Sequence, residues 1–420
     1  MRQNQGAEFT KEMKKSHVIF LPDMLGYHND LLKAAFAGAG YHLEIMDEMK
    51  HLPDKSLPYI NGDYCLPAVL ILGQMLATIS SGKWDTNQIA FMEPQTGGAC
   101  RAGNYYNSMI TCLKKAGYDR IPVISLNAFG EEKHAGFTIT LPLLLRAAAA
   151  VCYGDLLMTL LQQVRPYEKQ TGATEKCYNA WIRILCKEIR RGSKISRRAR
   201  KKRYQEIISS FAQIPTTVKQ RKKVGITGEI YIKFSQIGND HLEDFLQRQQ
   251  IDYRMGVFMN YAIYVVDSEK ENQALKGASK TTLKLFDFVL HLMKELQNDI
   301  NTALLNASFS ADESFDNLSR LAEPIISTGC NTGDGWLIAG EVADLVSKGY
   351  DHILILHPFG CLVSHVCERG ILKKLHARYP NINIQTIEYD YDSSKSLRES
   401  RILLGLSDIS QNPAYRGYDT

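Results

Sequence analysis

HVIFLPDMLGYHNDLLKAAFAGAGYHLEIM, residues 17–46, decides the fold class. Its first six residues form a short apolar run, the mark of a buried strand. LLKAAFAGAG follows with helical spacing, and Gly38 and Gly40 supply the stop. YHLEIM at 41–46 reads as a second strand. Strand, helix and strand in that order make a parallel sheet with a crossover helix on its face.

The same alternation extends outward. Residues 66–80 read as a helix opening near Pro67, a favoured first-turn residue. QIAFME at 88–93 and IPVISL at 121–126 read as strands that bracket a loop and the helix of YYNSMITCLKKAG. Residues 17–136 therefore form a first α/β lobe. Residues 137–215 form a helical connecting segment, rich in Leu and Ala to 165 and polar and basic over 174–212. Residues 216–420 form a second α/β lobe. Its predicted elements are a strand at 223–233 (KVGITGEIYIK), a helix at 240–249, a strand-like 258–265 (FMNYAIYV), a long helix at 279–305 and a strand-like 324–327. They continue with a helix at 335–348, strand 352–357, a helix at 361–377 and strand 382–388. The expected architecture is α/β, with two doubly wound lobes joined by a helical segment. The lobes share a style and no readable sequence repeat.

Composition narrows the classes. The chain has 420 residues, enough for two or three domains. Hydrophobic residues at 45% and charged residues at 23% are ordinary globular usage, and such a core needs no staples. Nine cysteines, an odd number without paired spacings, argue against a disulfide framework and for reduced thiols. The first 16 residues lack the apolar centre of a signal peptide. The most apolar stretch, near 137–161, is interrupted by Arg146 and Asp155, so no membrane span and a cytoplasmic location are expected. A net charge of +5 is too weak for a fold-wide nucleic-acid footprint. The local excess, RRGSKISRRARKKR at 190–203 with RKK at 221–223, reads first as a solvated helix face. Its alternatives are phosphate or nucleic-acid binding, and docking to an acidic partner.

Three cysteines share a setting. Cys65 in NGDYCLP, Cys100 in PQTGGACRAGNYY and Cys361 in HPFGCL each sit at a turn beside Gly or Pro, close to a helix start. Cys100 and Cys361 follow predicted strands, which puts them on the rim where doubly wound sheets bind ligands. A helix N-terminus lowers a thiol's pKa and favours the metal-binding thiolate. Gly97, Gly98 and Gly360 would let the backbone approach a bulky group and offer N–H donors to it. Thiolates suit iron–sulfur clusters and zinc, although no C-x-x-C pair is present. On these grounds a cluster, a catalytic thiol and a tight-turn structural role all stay open. Cys112, Cys177 and Cys186 lie in helical patterns and read as buried apolar residues.

Several segments carry a resemblance. QTGGACRAGNYY at 95–106 resembles the Q-T-G-G-x-C-R-x-S-N-Y signature of the 2-hydroxyacyl-CoA dehydratase superfamily, closest to its double-cubane cluster proteins and the cluster-bearing part of the large activase-related proteins. CLPAVLILGQ at 65–74, VISLNAFG at 123–130 and YGDLLMTLLQQVRPYE at 153–168 are similar to the family's segments in the same order. So are VGITGEIYIKFSQIGNDHLEDFL at 224–246, GDGWLIAGE at 333–341 and HPFGCLVSHV at 357–366. Together they span about 65–366. The chain departs from the pattern at Gly103, Asp334, His357 and Ser364, where Ser, Glu, Gln and Asn are usual.

The resemblance implies two Rossmann- or flavodoxin-like lobes facing each other across an iron–sulfur cluster, either 4Fe-4S or a double-cubane 8Fe-9S. It implies Cys65, Cys100 and Cys361 as ligands. Cys330, just before GDGW, and Cys152, beside YGD, are the further candidates a double cubane would need. A homodimeric ATP-dependent iron–sulfur activase would donate low-potential electrons, since the chain has no G-x-x-x-x-G-K-[ST] motif of its own. Dehydratases of the family use that electron to form a ketyl radical of a 2-hydroxyacyl-CoA and expel the hydroxyl; the double-cubane branch reduces small molecules. A homodimer is expected by the same likeness. His365, four residues after Cys361, is a candidate proton donor, and Arg101 a candidate partner for an anionic cluster or a CoA phosphate. Gly333 and Gly335 open either an anion cradle or a plain turn. Glu229 reads as a sheet-edge ion pair or a group near the site. Asp155 reads as a partner of Arg165 or an interlobe hydrogen-bond anchor. A non-redox α/β binding protein for a nucleotide or acyl-CoA and a nucleic-acid-binding protein are the competing classes.

Overall fold

A computed structural model of the protein describes residues 6–94, 100–126 and 134–407. Strand β1 (Val18–Pro22) pairs in parallel with β2 (His42–Met46) on one side and β3 (Ile89–Pro94) on the other, and β4 (Val123–Leu126) extends the sheet beyond β3. The strand order is β2-β1-β3-β4. Helices α1 (Met13–Ser16), α2 (Asn29–Ala37), α3 (Leu52–Ser56), α4 (Leu66–Ser80) and α5 (Tyr105–Lys115) alternate with these strands. The apolar sequence of α4 has no polar face, and the helix is accordingly buried from Leu66 to Ile79.

Three helices follow: α6 (Leu141–Val164), α7 (Ala173–Arg191) and α8 (Arg197–Ala212). The stretch that begins with α6 is long and apolar enough to cross a membrane, yet 67% of its most apolar 18 residues are buried inside the fold, where the helix packs on α2, α7, α8 and β6. It is the core helix between the lobes.

The second sheet is built from β5 (Lys223–Gly228), β6 (Asp252–Met255), β7 (His352–Pro358) and β8 (Asn383–Tyr389), all parallel, in the order β6-β5-β7-β8. Its helices are α9 (Ile230–Phe234), α10 (Leu242–Arg248), α11 (Phe258–Leu275), α12 (Lys280–Leu305), α13 (Phe315–Ala322), α14 (Leu337–Ser347), α15 (Arg369–Arg378) and α16 (Lys395–Leu406). A single π-helical turn, Ser364–Glu368, leads into α15. The two sheets have the same order when their strands are counted along the chain, although their sequences do not align by eye.

Three expectations fail, each for a physical reason. IYIK at 230–233 is helical, not strand. Gly228 turns the chain at φ 133°, with its backbone so close to Leu356 that a Cβ would lie 2.0 Å from that carbonyl. Glu229 then caps the new helix by accepting from Ile232 N at 3.0 Å. FMNYAIYV at 258–265 is the start of α11; its aromatic composition favours a strand, but Asp155 accepts the Phe258 and Met259 N–H groups at 2.9 Å each and supplies the missing cap. Residues 324–327 pair with no strand; Ile325 and Ile326 N–H groups bond back to Ala322 and round off α13.

Candidate functional site

Both sheets reverse their strand order between the first strand and the third, at β1/β3 and at β5/β7. The crevice outside the carboxyl ends of such strands is where ligands bind. Here the two crevices open onto one cleft of about 760 Å³, part of it exposed to solvent. Met24, Glu93 and Pro94 line it from the ends of β1 and β3, and Glu229, Ile230, Pro358 and Cys361 from the ends of β5 and β7. Its walls are mostly apolar.

Cys65, Cys100 and Cys361 all line this cleft, two from the first lobe and one from the second. Cys65 is the N-cap residue of α4, and its sulfur lies 2.7 Å from the Tyr105 hydroxyl. Cys100 stands before the 3₁₀ turn Arg101–Asn104. The Cys361 sulfur accepts from Ser364 N at 3.4 Å. Burial pushes all three thiols up, Cys100 to about 11, against the expectation that helix starts would lower them. The carboxyl of Glu229 adds to that rise at each sulfur. Desolvation outweighs the helix termini, so a bound cation is what would draw these thiols into the thiolate form.

The lobes touch at the cleft floor. Leu66 N donates to Phe359 O at 3.1 Å. Gly360, also lining the cleft, has φ 73°, and a Cβ there would sit 3.2 Å from Cys65 Cα and from Tyr64 O. Gly360→Ala is therefore expected to cost about 1–3 kcal/mol through strain and the forced separation of the lobes, read as a lowered urea midpoint with an unchanged slope.

Other expected site residues fall into two groups. Arg101 and Gly333 line the cleft, with Arg101 also donating to the Asp63 carbonyl. Gly97 and Gly98 lie outside the described residues. His365 does not line the cleft; it is exposed, and its Nδ1 lies 2.7 Å from the Cys361 carbonyl oxygen. Cys152 is fully buried on α6, in the surroundings of Arg200, Tyr204 and Asp155, and is not brought to the cleft. Cys330 is exposed, in the turn before Gly333, and is near enough to Cys367 for their charges to interact. Cys112 is buried in the first lobe, as its helical pattern suggested, whereas Cys177 and Cys186 are only half-buried.

Glu229 makes no sheet-edge ion pair. It faces the cleft as the α9 cap, and burial raises its carboxyl to about 7. Asp334, which accepts a hydrogen bond from the Ile230 backbone beside Glu229, is pushed well above the carboxylate range by burial and then by Glu229. Lys233 and Glu341 form a buried pair at 2.9 Å, with Thr227 donating to the same carboxylate, so GEIYIK and GDGWLIAGE are fastened together behind the site. Asp155 does not meet Arg165. It accepts from His28 Nε2 at 2.9 Å in the first lobe and from the start of α11 in the second. Arg165 instead donates to Tyr253 and Glu175. The basic run is partly spent within the fold: Arg197 and Lys201 on Asp299, and Arg203 on Glu188 and Glu206.

Reading the sequence missed Tyr105, Tyr231 and Glu93 as cleft residues. Glu93 carried a signal, since an acidic residue closing the apolar run IAFM has no reason to be there on packing grounds. Tyr105 and Tyr231 carried none, because an aromatic next to a motif is more often core.

Among the described residues, no three His, Cys, Asp or Glu side chains stand close enough to hold a single metal ion. A polynuclear cluster differs in spreading its thiolates over several irons. The cleft walls carry three soft thiols and no histidine, which suits iron and sulfide, beside the carboxyls of Glu93, Glu229 and Asp334, which burial holds toward their neutral form. Compared with family models, with curated proteins and with solved structures, the chain finds no match in any of the three.

Proposed function

We propose that the chain is the iron–sulfur reductase component of an ATP-dependent two-component system and reduces a small molecule in the interlobe cleft. One observation carries the reading: three thiols from two lobes converge where both sheets reverse their strand order. Cys65, Cys100 and Cys361 would hold the cluster, with Cys330 the remaining candidate for a larger one. Cys152 is withdrawn from that set by its place in the core. When bound, the cluster supplies low-potential electrons received from a separate homodimeric activase. The chain's own residues exclude water with apolar walls, offer hydrogen bonds to the Cys65 and Cys361 sulfurs from the Tyr105 hydroxyl and the Ser364 N–H, and hold Arg101 at the mouth for an anionic group. We place the protein in the cytoplasm, as a homodimer.

Two other readings use the same cleft. A 2-hydroxyacyl-CoA dehydratase subunit would carry a single open cubane there, and a non-redox α/β binding protein would take an acyl-CoA or nucleotide without metal.

Iron and acid-labile sulfide per chain after strictly anaerobic purification separate the three. About eight irons are expected for the double-cubane reductase, and about four would favour the dehydratase reading. No iron after reconstitution would leave the binding protein. In each metal-bearing case Cys100→Ser should lose metal.

A further inference from the structure

The cleft holds polar groups that the protein leaves without partners. Glu93, 3% exposed at the end of β3, has a carboxyl oxygen, Oε2, with no hydrogen-bond partner. Tyr231, 2% exposed at the start of α9, has a hydroxyl in the same condition. The Ser235 hydroxyl, which accepts from Gly238 N at 3.0 Å, lies close enough to act on that phenol but makes no hydrogen bond of normal geometry with it. Glu93 belongs to the first lobe and Tyr231 to the second, both line the cleft, and the phenol lies within the field of the Glu93 carboxyl. Ser125, opposite Glu93 in the β3–β4 register, also has an unpartnered buried hydroxyl.

Buried polar groups are hydrogen-bonded as a rule, and each exception costs about 1–3 kcal/mol. Two exceptions at one wall of one cavity, contributed by opposite lobes, are what a binding site requires and a core avoids. The neighbouring groups are carboxyls, not cations: Asp23 and Glu229 are the charged groups that bear on Tyr231 besides Glu93. No cation stabilises the ionised form of Glu93, and burial alone holds its carboxyl neutral well above the usual range. A neutral acid and a phenol are both donors. Such a pair is a recognised way to hold an oxygen that gains negative charge.

We infer that Glu93 and Tyr231 form a two-donor subsite for the carbonyl oxygen of a small substrate, such as a ketone, an amide or an acyl thioester. The inference rests on reading the cleft as the substrate site and is independent of the metal. Its position explains the choice of groups. A carbonyl oxygen held there would lie in the same cavity as the three thiols, and any electron density added to the carbonyl would be met by two hydrogen bonds already in place.

The test uses the full chain, with and without iron, and 4-fluoroacetophenone as the probe. Fluorine line broadening gives the Kd, and the infrared carbonyl stretch reports the donors directly. In the wild type the bound stretch is expected below that of the probe in an apolar solvent. Tyr231→Phe and Glu93→Leu should each weaken the Kd about tenfold and move the stretch back up. Glu93→Gln keeps an N–H donor and should retain most of the shift. Glu93→Leu should also leave the fold as stable as before, or more so, because it removes a buried orphan and fills its space. That combination separates a binding residue from a structural one. Absence of binding, or a stretch and Kd unchanged in both Tyr231→Phe and Glu93→Leu, overturns the inference. Iron content is expected to be the same in all three variants, so loss of the subsite and loss of the cluster reading are told apart.

Discussion

Cys361→Ser is expected to purify anaerobically with almost no iron while keeping the fold. Among the described residues Cys361 is the second-lobe thiol that lines the cleft, whereas Cys330 and Cys367 do not line it. Serine is nearly the same size and can accept the Ser364 N–H bond, so the turn after β7 should survive the change. Its hydroxyl is a hard, weakly acidic donor and does not take the thiolate's place toward iron. The measurement is iron and sulfide per chain beside a urea titration. The expected pair of results is metal lost and midpoint unchanged. Cys152→Ser provides the contrast, since that thiol is buried on α6 away from the cleft: metal should be retained. If Cys361→Ser carries the full complement of iron, the cleft does not bind the cluster and the proposed function fails.

Asp155→Ala is expected to be the most destabilising single substitution outside the cleft, at about 3–5 kcal/mol. Asp155 is fully buried and satisfies three donors at once: His28 Nε2, Phe258 N and Met259 N, each at 2.9 Å. Alanine would orphan all three in a dry interior. Two of them are the first N–H groups of α11, so the helix start would fray as well. A loss of that size is a large share of the 5–15 kcal/mol that holds a typical protein folded. Asp155→Asn keeps one acceptor oxygen and should cost less. Urea midpoints for the two variants decide the matter. A shift in Asp155→Ala worth less than about 1 kcal/mol would mean that the anchor does not carry the interlobe contact.

Much of this was legible in the residues. The strand–helix alternation is written in short apolar runs bounded by Gly and Pro, and helix 66–80 ends where its polar residues begin. The three thiols could be singled out because each follows a turn with Gly or Pro beside it. What escaped reading was mostly long-range. FMNYAIYV has the composition of a strand and becomes helix only because a carboxylate from α6 caps it. The thiols' upward shift depends on burial in the folded chain, which local sequence does not record. His365 keeps the four-residue spacing to Cys361 and contacts its carbonyl, yet it faces solvent, since spacing fixes a helix face and not what covers it. The basic run looks like a free charge patch until Asp299, about a hundred residues away in sequence, is placed beside it.

Asp155 also bears on how far the two halves can part. Enzymes whose halves swing shut over a substrate must swing open to let the product go, and that reopening often sets their pace. Here one side chain on the central helix clasps both halves, and the Leu66–Phe359 backbone bond ties them again at the cleft floor. On the proposed function, these two ties are expected to hold the jaw fixed. The mouth, fringed by the exposed Leu362 and Arg101, would then keep one width. Molecules would be sorted there by size and by the polarity of their tips.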